Sequence, residues 1–382
     1  MLPIFPTDDA GAFARPKRLC NRCESLPSAI ETGGDLHCWF PTAHVTHKMR
    51  AVFAGLGLVV AQTSADGVMC TIPAPLFDRV MAAFREHLSE IERADTRTLL
   101  TSAGCAPVAD DLARVETLSR LMARAASNWL ISLLQEERLT SFFQPIVLAS
   151  SLTTIYGHEA LARGRSSEGG EIISPRVLFE TARESGLLFQ LDLAARRSAI
   201  ATAGAHGLQG KLFVNFAPTA IYDPASCLRS TVAAVDQTSI ARSDVVFEIV
   251  ETERAHDPKH LRNILDFYRG AGFRVALDDV GAGYSSLNLI HELRPDLLKL
   301  DMELIRNVDR DPYKARLVAN LFDVAKALGI ETLAEGVESE GELEWVVEHG
   351  ADYVQGFLIG RPAPTPRQVG SAEVQVGVPA AV

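Results

Sequence analysis

Short apolar runs alternate with longer amphipathic segments from about residue 140 onward, and this alternation restricts the fold more than any other feature. Eight runs have the length of strands, and they cover residues 141–147, 155–162, 211–216, 245–250, 274–277, 297–300, 331–334 and 353–358. Strands that alternate with helices are typical of a parallel sheet covered by helices. Eight such units in roughly 225 residues predict a closed (β/α)8 barrel of the TIM type, which usually needs about 250. An open doubly wound sheet is the alternative.

Start and stop signals mark the helices between these strands. Ser174-Pro175, Asp257-Pro258 and Asp311-Pro312 each join a capping side chain to a proline at the first helical position. Gly270-Ala271-Gly272 and Gly329 stand where a helix C-terminus favours glycine. The signals therefore predict helices at the places where a barrel requires them.

The pattern divides the chain into four parts. We predict a small α/β domain, a helical linker, the barrel and a flexible tail rich in Pro, Gly, Val and Ala, which cover residues 1–105, 106–138, 139–365 and 366–382.

The N-terminal parts have their own predicted elements. Residues 41–56 and 76–91 have helical patterns, and two apolar runs, 58–62 and 68–72, are expected to pair across Asp66-Gly67. An apolar stripe predicts one long helix from Ala109 to Leu139. This helix either transmits a signal or forms a dimer contact, or it packs on its own barrel.

The composition limits the classes of partner that the chain is expected to bind. The formal net charge of −11 over 382 residues argues against a surface for nucleic-acid polymers or anionic membranes. The start of the chain does not resemble a signal peptide, and the longest apolar run, Val52–Ala61, is roughly half as long as a membrane helix. We therefore expect a cytoplasmic protein whose six cysteines are reduced.

Polar side chains stand at the ends of most predicted strands. They are Glu159, Asn215, Glu248, Asp278, Asp279, Lys299, Glu335 and Gln355. In a barrel these ends surround one mouth, and their oxygens suit Mg²⁺ or Mn²⁺ rather than zinc. Two ions about 3.5–4 Å apart suit the attack of water on a phosphodiester. A structural role explains each residue alone equally well, but so many acids at one rim would repel one another without cations.

A second group of potential ligands precedes the barrel. Cys20, Cys23, His37 and Cys38 offer four N or S ligands, which is enough for a structural zinc site. Their spacing fits no standard zinc finger, and reduced thiols without a metal are the alternative. Gly33-Gly34-Asp35 is expected to form a turn.

Several of these segments resemble one known family. Glu159-Ala160-Leu161-Ala162-Arg163 resembles the signature of the EAL domain, the family of cyclic di-GMP phosphodiesterases. More motifs of this family follow in order along residues 139–365. They are Gln144-Pro145-Ile146-Val147, Val214-Asn215-Phe216, Glu248-Ile249-Val250-Glu251, Asp278-Asp279-Val280-Gly281-Ala282-Gly283-Tyr284-Ser285-Ser286-Leu287, Leu298-Lys299-Leu300-Asp301, Ala334-Glu335-Gly336-Val337-Glu338 and Gln355-Gly356-Phe357. One tripeptide would carry no weight, but the ordered series is specific.

The resemblance implies a barrel with an atypically oriented first strand and a bacterial signalling enzyme. Its reaction would be the hydrolysis of cyclic di-GMP to linear pGpG with two Mg²⁺ or Mn²⁺ ions. The ligands of the first ion would be Glu159, Asn215, Glu248 and Asp278. Asp278 and Asp279 would reach the second ion, and Glu335 would be either its ligand or the general base.

The resemblance also implies roles around the substrate. Lys299 would contact the attacking water. Four further residues would hold the nucleotide or support the site, namely Gln144, Leu161, Arg163 and Gln355. Glu251 would anchor a mobile loop over residues 280–287.

Departures from the family pattern are confined to residues that are not ligands. Val250, Val280, Ala282 and Ala217 replace a threonine, a phenylalanine, a threonine and a serine. We therefore predict an active enzyme, slow or regulated by its N-terminal region, and a homodimer with a signalling partner at that region. The alternatives are a catalytically silent cyclic di-GMP receptor and a signalling scaffold.

Overall fold

The computed structural model describes residues 26, 33–64, 66–167, 169–250, 258–281 and 286–368. Two units with separate hydrophobic cores, an N-terminal sheet domain and a barrel, are joined by two helices. None of the helices in these ranges has the length and apolar character needed to cross a membrane.

The N-terminal domain is an antiparallel sheet with helices on one face. Its elements are β1 (Gly34–Trp39), α1 (Ala43–Gly55), β2 (Val60–Gln62), β3 (Gly67–Ile72), α2 (Phe77–His87), α3 (Glu90–Asp95), β4 (Arg97–Thr101) and β5 (Glu116–Thr117). The strand order is β2-β3-β1-β4-β5. Leu36 and Cys38 point from β1 into a core that also contains Met49, Phe53 and Phe84.

The predicted hairpin and both predicted helices are present, although the second helix ends at His87. The central strand β1 and its neighbour β4 were not predicted. Gly34 and Asp35, which lie in the predicted turn, open β1 instead. A tertiary contact decides this, because β1 pairs with both β3 and β4.

The prediction of a single linker helix from Ala109 to Leu139 is wrong. A 3-10 helix over Ala109–Arg114 and β5 come first, followed by α4 (Leu118–Ala126) and α5 (Asn128–Gln135). Pairing with β4 keeps the backbone of Glu116 and Thr117 in an extended conformation. The Thr117 side chain accepts a hydrogen bond from the Arg120 amide and so caps the start of α4. Sheet pairing and capping override the apolar stripe here.

The barrel contains the remaining elements. They are β6 (Leu139–Leu148), β7 (Ser151–Arg165), β8 (Ile172–Ile173), α6 (Pro175–Ser185), α7 (Leu188–Ala205), β9 (Lys211–Asn215), α8 (Pro224–Cys227), α9 (Arg229–Asp236), β10 (Val245–Val250), α10 (Pro258–Gly270), β11 (Arg274–Val280), α11 (Ser286–Leu293), β12 (Leu297–Leu300), α12 (Met302–Ile305), α13 (Pro312–Leu328), β13 (Glu331–Ala334), α14 (Glu340–Glu348) and β14 (Tyr353–Val354).

Strand pairing closes this sheet. The order is β6-β14-β13-β12-β11-β10-β9-β7-β8, and β6 also pairs with β7. This closure confirms the barrel and excludes the open doubly wound sheet. Strand β6 is antiparallel to both neighbours, whereas β7 and β9 to β14 pair in parallel. The atypical first strand is therefore confirmed.

An apolar layer fills one end of the barrel interior. It consists of Ile146, Phe213, Val246, Ala276, Leu297, Leu333 and Tyr353, all buried. Side chains two residues apart on a strand point to the same side. On the parallel strands, the next inward-facing layer toward the C-terminal ends therefore consists of the residues two positions further along.

The segment after the barrel is attached for longer than predicted. Ala363 bridges to Phe143, and the Arg367 amide donates to Nε2 of the buried His158 at 3.1 Å. Residues 366–368 therefore do not belong to a flexible tail, and residues 369–382 lie outside the described residues.

Candidate active site

The second inward-facing layer of the barrel is polar. Two positions beyond the apolar residues of β9 to β13 stand Asn215, Glu248, Asp278, Lys299 and Glu335. Strand β7 adds Glu159, and Gln355 directly follows β14. The polar residues predicted to surround one mouth are therefore brought together at the C-terminal ends of the parallel strands.

Lys299 lies at the centre of this layer with a side chain only 1% exposed. Its Nζ is 2.7 Å from Glu248 Oε1, 2.7 Å from Glu335 Oε1 and 3.0 Å from Asp278 Oδ1. Glu159 Oε2 lies further away, at 3.9 Å. One ammonium group thus faces four carboxylates, and Lys299 cannot neutralise them alone.

The electrostatics reflect this imbalance. Burial raises the pKa of Glu248 and of Glu335 well above the usual range, although Lys299 opposes the shift. Burial alone would lower the pKa of Lys299, but the surrounding carboxylates raise it well above its ordinary value. Burial and mutual repulsion therefore oppose full ionisation of these acids, and further cations would favour it.

Glu159 is oriented by two amides. Its Oε1 accepts a hydrogen bond from Asn215 Nδ2 at 3.0 Å, and its Oε2 accepts one from Gln355 Nε2 at 2.8 Å. By contrast, Oε2 of the fully buried Glu248 and Oε1 of the buried Gln355 have no hydrogen-bond partner among the described residues, and Oε1 of Glu248 has only the ion pair with Lys299. Oxygens left in this state are costly unless a further group, such as a cation, satisfies them.

Asp278 and Asp279 are consecutive but serve the same site. The register between β11 and β12 shifts between Leu277 and Val280, and Asp279 has a left-handed backbone with φ of 54°. Such a bulge turns a side chain that strand alternation would send outward. Oxygens of Asp278, Asp279 and Glu335 consequently lie within 4.8 Å of one another.

The pKa of Asp279 is shifted in the same direction as those of its neighbours, and burial is again the largest cause. Burial raises its pKa to about 7, the nearby Asp278 carboxylate and a hydrogen bond to Asp301 add to the effect, and Lys299 opposes it. Sequence reasoning missed Asp301 as a site residue. It stands two positions after Lys299, so strand alternation was a signal that could have found it.

The donors fit a hard divalent cation. Every acidic or amide side chain of the layer offers oxygen, the ligand type that Mg²⁺ and Mn²⁺ prefer. The acidic oxygens that a cation would neutralise include Oε2 of Glu248, which has no partner among the described residues, and the close set formed by Asp278, Asp279 and Glu335. The arrangement can therefore hold divalent cations.

The predicted nucleotide contacts lie beside this layer. Gln144 pairs with Glu159 across β6 and β7, and its Nε2 donates to the Gly360 carbonyl at 3.3 Å. Leu161 and Arg163 are half-buried on the outer part of β7. The Arg163 guanidinium stacks over the Phe142 ring at 5.1 Å.

Other predicted residues are separated or lie outside the described residues. His37 and Cys38 are neighbours on β1 and point to opposite faces, with Cys38 in the helix-side core. They cannot share one zinc ion, because strand alternation directs them apart. Cys20, Cys23, Glu251 and loop residues 282–285 are outside the described residues.

One domain family matches the barrel. The profile described as EAL domain matches residues 127–362. PdeG of Escherichia coli, named a probable cyclic di-GMP phosphodiesterase, is 31% identical over 235 residues, or 59% of this chain and 44% of PdeG. PdeB of the same organism, also named a probable cyclic di-GMP phosphodiesterase, is 32% identical over 226 residues, or 58% of this chain and 42% of PdeB. The chain thus spans less than half the length of these relatives.

A solved structure shares the barrel. A standalone versatile EAL protein from Vibrio cholerae O395, determined in its c-di-GMP-bound form, is 35% identical with a TM-score of 0.55. The match covers 61% of this chain and 95% of that chain. The similarity therefore extends over almost the whole of the Vibrio chain but over only 61% of this one.

Replacing Lys299 with methionine tests the charge balance. In protein treated with chelator, we expect Lys299→Met to lower the free energy of unfolding by about 3–5 kcal/mol, because buried carboxylates lose their counterion. Added Mn²⁺ should restore most of the loss, as measured by urea denaturation.

Lys326→Met on the exposed side of α13 is the control, with an expected change within about 0.5 kcal/mol. An equally stable Lys299→Met protein in chelator would show that the acids do not depend on this cation.

Proposed function

Since the chain belongs to the EAL domain family, we propose that it hydrolyses cyclic di-GMP to linear pGpG with two Mg²⁺ or Mn²⁺ ions. The observation that carries this proposal is the buried layer in which Lys299 contacts Glu248, Asp278 and Glu335 at 2.7–3.0 Å. The named activity of the PdeG and PdeB relatives and the nucleotide bound to the Vibrio protein support the choice of substrate.

The residues that would hold the ions are those of the oxygen-rich layer. Glu159, Asn215, Glu248 and Asp278 would hold the first, and Asp278 and Asp279 the second, with Glu335 as a further candidate. Bound there, divalent ions would polarise a phosphodiester and favour deprotonation of a nucleophilic water.

The chain's own groups would act on the reacting phosphate. The oxygen of water bonds to phosphorus, one P–O bond to a ribose oxygen breaks, and that oxygen takes up a proton. Lys299 would orient the water and stabilise negative charge on the phosphate oxygens. Glu335 is either the base that accepts the water's proton or a ligand.

We assign nucleotide binding to the ends of β6 and β7 that lie at the mouth of the barrel. Arg163 would offer positive charge to a phosphate at the edge of the cluster, held in place by the Phe142 ring. Gln144, Leu161 and Gln355 would complete this surface. A silent receptor would have little use for four carboxylates buried around one lysine, so we favour the enzyme.

Product analysis tests the reaction. We expect purified protein with cyclic di-GMP and Mn²⁺ or Mg²⁺ to release pGpG, separated by chromatography, and chelator to stop it. Glu335→Gln should lower kcat at least about 100-fold, as loss of a general base or ligand does.

The exposed Glu344→Gln on α14 is the matched control and should retain full activity. Cyclic di-GMP binding by the wild-type chain without any pGpG would instead support the receptor alternative.

We also propose a homodimer through α13. Tyr313, Leu317, Val324 and Leu328 are 85%, 58%, 39% and 60% exposed, and their spacing puts them on one face of this helix. The opposite face packs into the barrel through Val318, Phe322 and Ala325. An apolar stripe of this kind suits a second copy of the same helix across a two-fold axis, the commonest symmetry of soluble oligomers.

Light scattering tests this contact. We expect the wild-type chain to elute with the mass of two chains and Leu317→Asp to shift it to one, because the charge would be buried in the interface. Val59→Asp, at a residue 88% exposed in the N-terminal domain, should leave the dimer intact. A Leu317→Asp dimer would exclude this face.

Regulation by the N-terminal region is the third part of the proposal, and α4 and α5 support it. Leu118, Leu121 and Met122 of α4 pack in the N-terminal core. Arg120 of the same helix lies directly against Gly186, the left-handed cap of α6 in the barrel. Helix α4 therefore contacts both units.

Helix α5 continues this path to the outer end of β7. Leu133 packs so closely on Gly164 that a Cβ there would lie 2.8 Å from its Cδ1. Arg138 donates to the Arg165 carbonyl, and the Arg165 amide donates back to the Arg138 carbonyl at 2.9 Å. These contacts flank Arg163, so a shift of α5 would move a nucleotide-binding residue.

A cavity at Leu133 tests the coupling. We expect Leu133→Ala to raise KM for cyclic di-GMP about fivefold or more, a typical coupling magnitude, with little change in kcat. Leu343→Ala makes a comparable cavity in α14 and should leave KM unchanged. Equal KM values in both variants would argue against this route.

A further inference from the structure

A buried ion pair lies behind the strands that carry the acidic layer. Asp192 and Arg196 are one turn apart on α7, and each side chain is 2% exposed. Arg196 Nη2 is 2.8 Å from Asp192 Oδ2, and its Nε donates to the same oxygen at 3.0 Å. The pair lies between the barrel wall and the outer helices, apart from the acidic residues themselves.

Stability alone is a poor explanation for this pair. Removing two charges from water costs several kcal/mol each, and well-packed apolar residues of similar volume are often equally or more stabilising. The pair instead fixes the orientation of neighbouring groups, because both partners make further hydrogen bonds of defined geometry.

Asp192 fixes the backbone that follows the C-terminal end of β9. Its Oδ1 accepts a hydrogen bond from the Ala217 amide at 2.8 Å, in a buried position. Ala217 stands two residues after Asn215, and between them the Phe216 amide donates to the Glu248 carbonyl at 3.2 Å. The backbone that follows Asn215 is therefore fixed at two consecutive residues.

Arg196 connects the same pair to β10. Its Nη1 donates to Thr231 Oγ1 at 2.8 Å and to the Tyr268 hydroxyl at 3.2 Å. The Tyr268 ring stacks on Phe247 with centroids 4.0 Å apart. Phe247 immediately precedes Glu248, so the network packs against the outward side of the second strand that supplies a proposed ligand.

We propose that Asp192 and Arg196 are positioning residues that hold Asn215 and Glu248 at the separation a divalent cation requires. This inference rests on the proposed function, because it assigns those two residues to a cation. Side chains that must lie within about 0.5 Å of a productive geometry need such support from behind. The pair touches neither substrate nor ion.

An apolar replacement of the whole pair separates positioning from stability. In the full-length chain, we expect Asp192→Leu combined with Arg196→Met to keep a melting temperature close to wild type. Its Kd for Mn²⁺, measured by electron paramagnetic resonance, should nevertheless rise at least tenfold. The single variant Arg196→Lys, which retains the positive charge next to Asp192, should keep most of the wild-type affinity for Mn²⁺.

A second variant covers the case in which the double replacement does not fold. Ala217→Pro removes the amide that Asp192 binds and leaves the pair intact, and it too should raise the Kd for Mn²⁺. Arg274→Met is the matched control, since it breaks the 2.6 Å pair with Glu331 at the opposite end of the strands. Its Mn²⁺ affinity should equal that of wild type.

The outcomes distinguish the two claims. If wild type binds Mn²⁺ and releases pGpG while a folded double variant and Ala217→Pro bind Mn²⁺ equally well, the positioning role is overturned and the proposed function stands. If wild type does not bind Mn²⁺, the proposed function falls and this inference with it.

Discussion

The burial of several carboxylates around one lysine is the constraint on which the barrel's active end depends. Lys299 lies within 3.0 Å of three acids in a region closed to solvent. Like charges in such a place repel strongly, and protons, the ammonium group or metal ions must offset them. A fold would not gain stability from this arrangement. We interpret it as a cost retained for cation binding and phosphodiester chemistry.

The rest of the barrel makes this arrangement possible. The apolar layer of Phe213, Val246 and Ala276 closes the interior directly beneath the acids. Outside the wall, hydrogen bonds from α7 and stacking by Tyr268 restrain the strands from behind. Helix α5 packs on the C-terminal end of β7, the strand next to β9, through the contact of Leu133 with Gly164. In our proposals, cation binding, support and regulation would therefore depend on different elements.

Sequence periodicity predicted the barrel well because its strands repeat one local rule. Each parallel strand is apolar and ends in a polar residue, so both the strands and their functional ends were visible. Tertiary pairing decided the elements that were missed. Strand β1 depends on neighbours on both sides, and Glu116-Thr117 breaks the predicted helix because β4 pairs with it.

Side-chain partnerships were harder to predict than positions. No spacing rule indicates that Asp192 reaches the Ala217 amide across 25 residues, or that a bulge turns Asp279 toward Glu335. Alternation did offer a signal for Asp301, two residues after Lys299. It also shows why His37 and Cys38, adjacent on one strand, cannot bind the same ion.

Anomalous X-ray scattering from crystals soaked in Mn²⁺ would test the central claim most directly. The account predicts two peaks at the C-terminal strand ends, one among Glu159, Asn215, Glu248 and Asp278 and another beside Asp279, with Lys299 displaced from some of its carboxylate contacts. Absence of any peak there, with Lys299 still bound to Glu248 and Glu335, would contradict it.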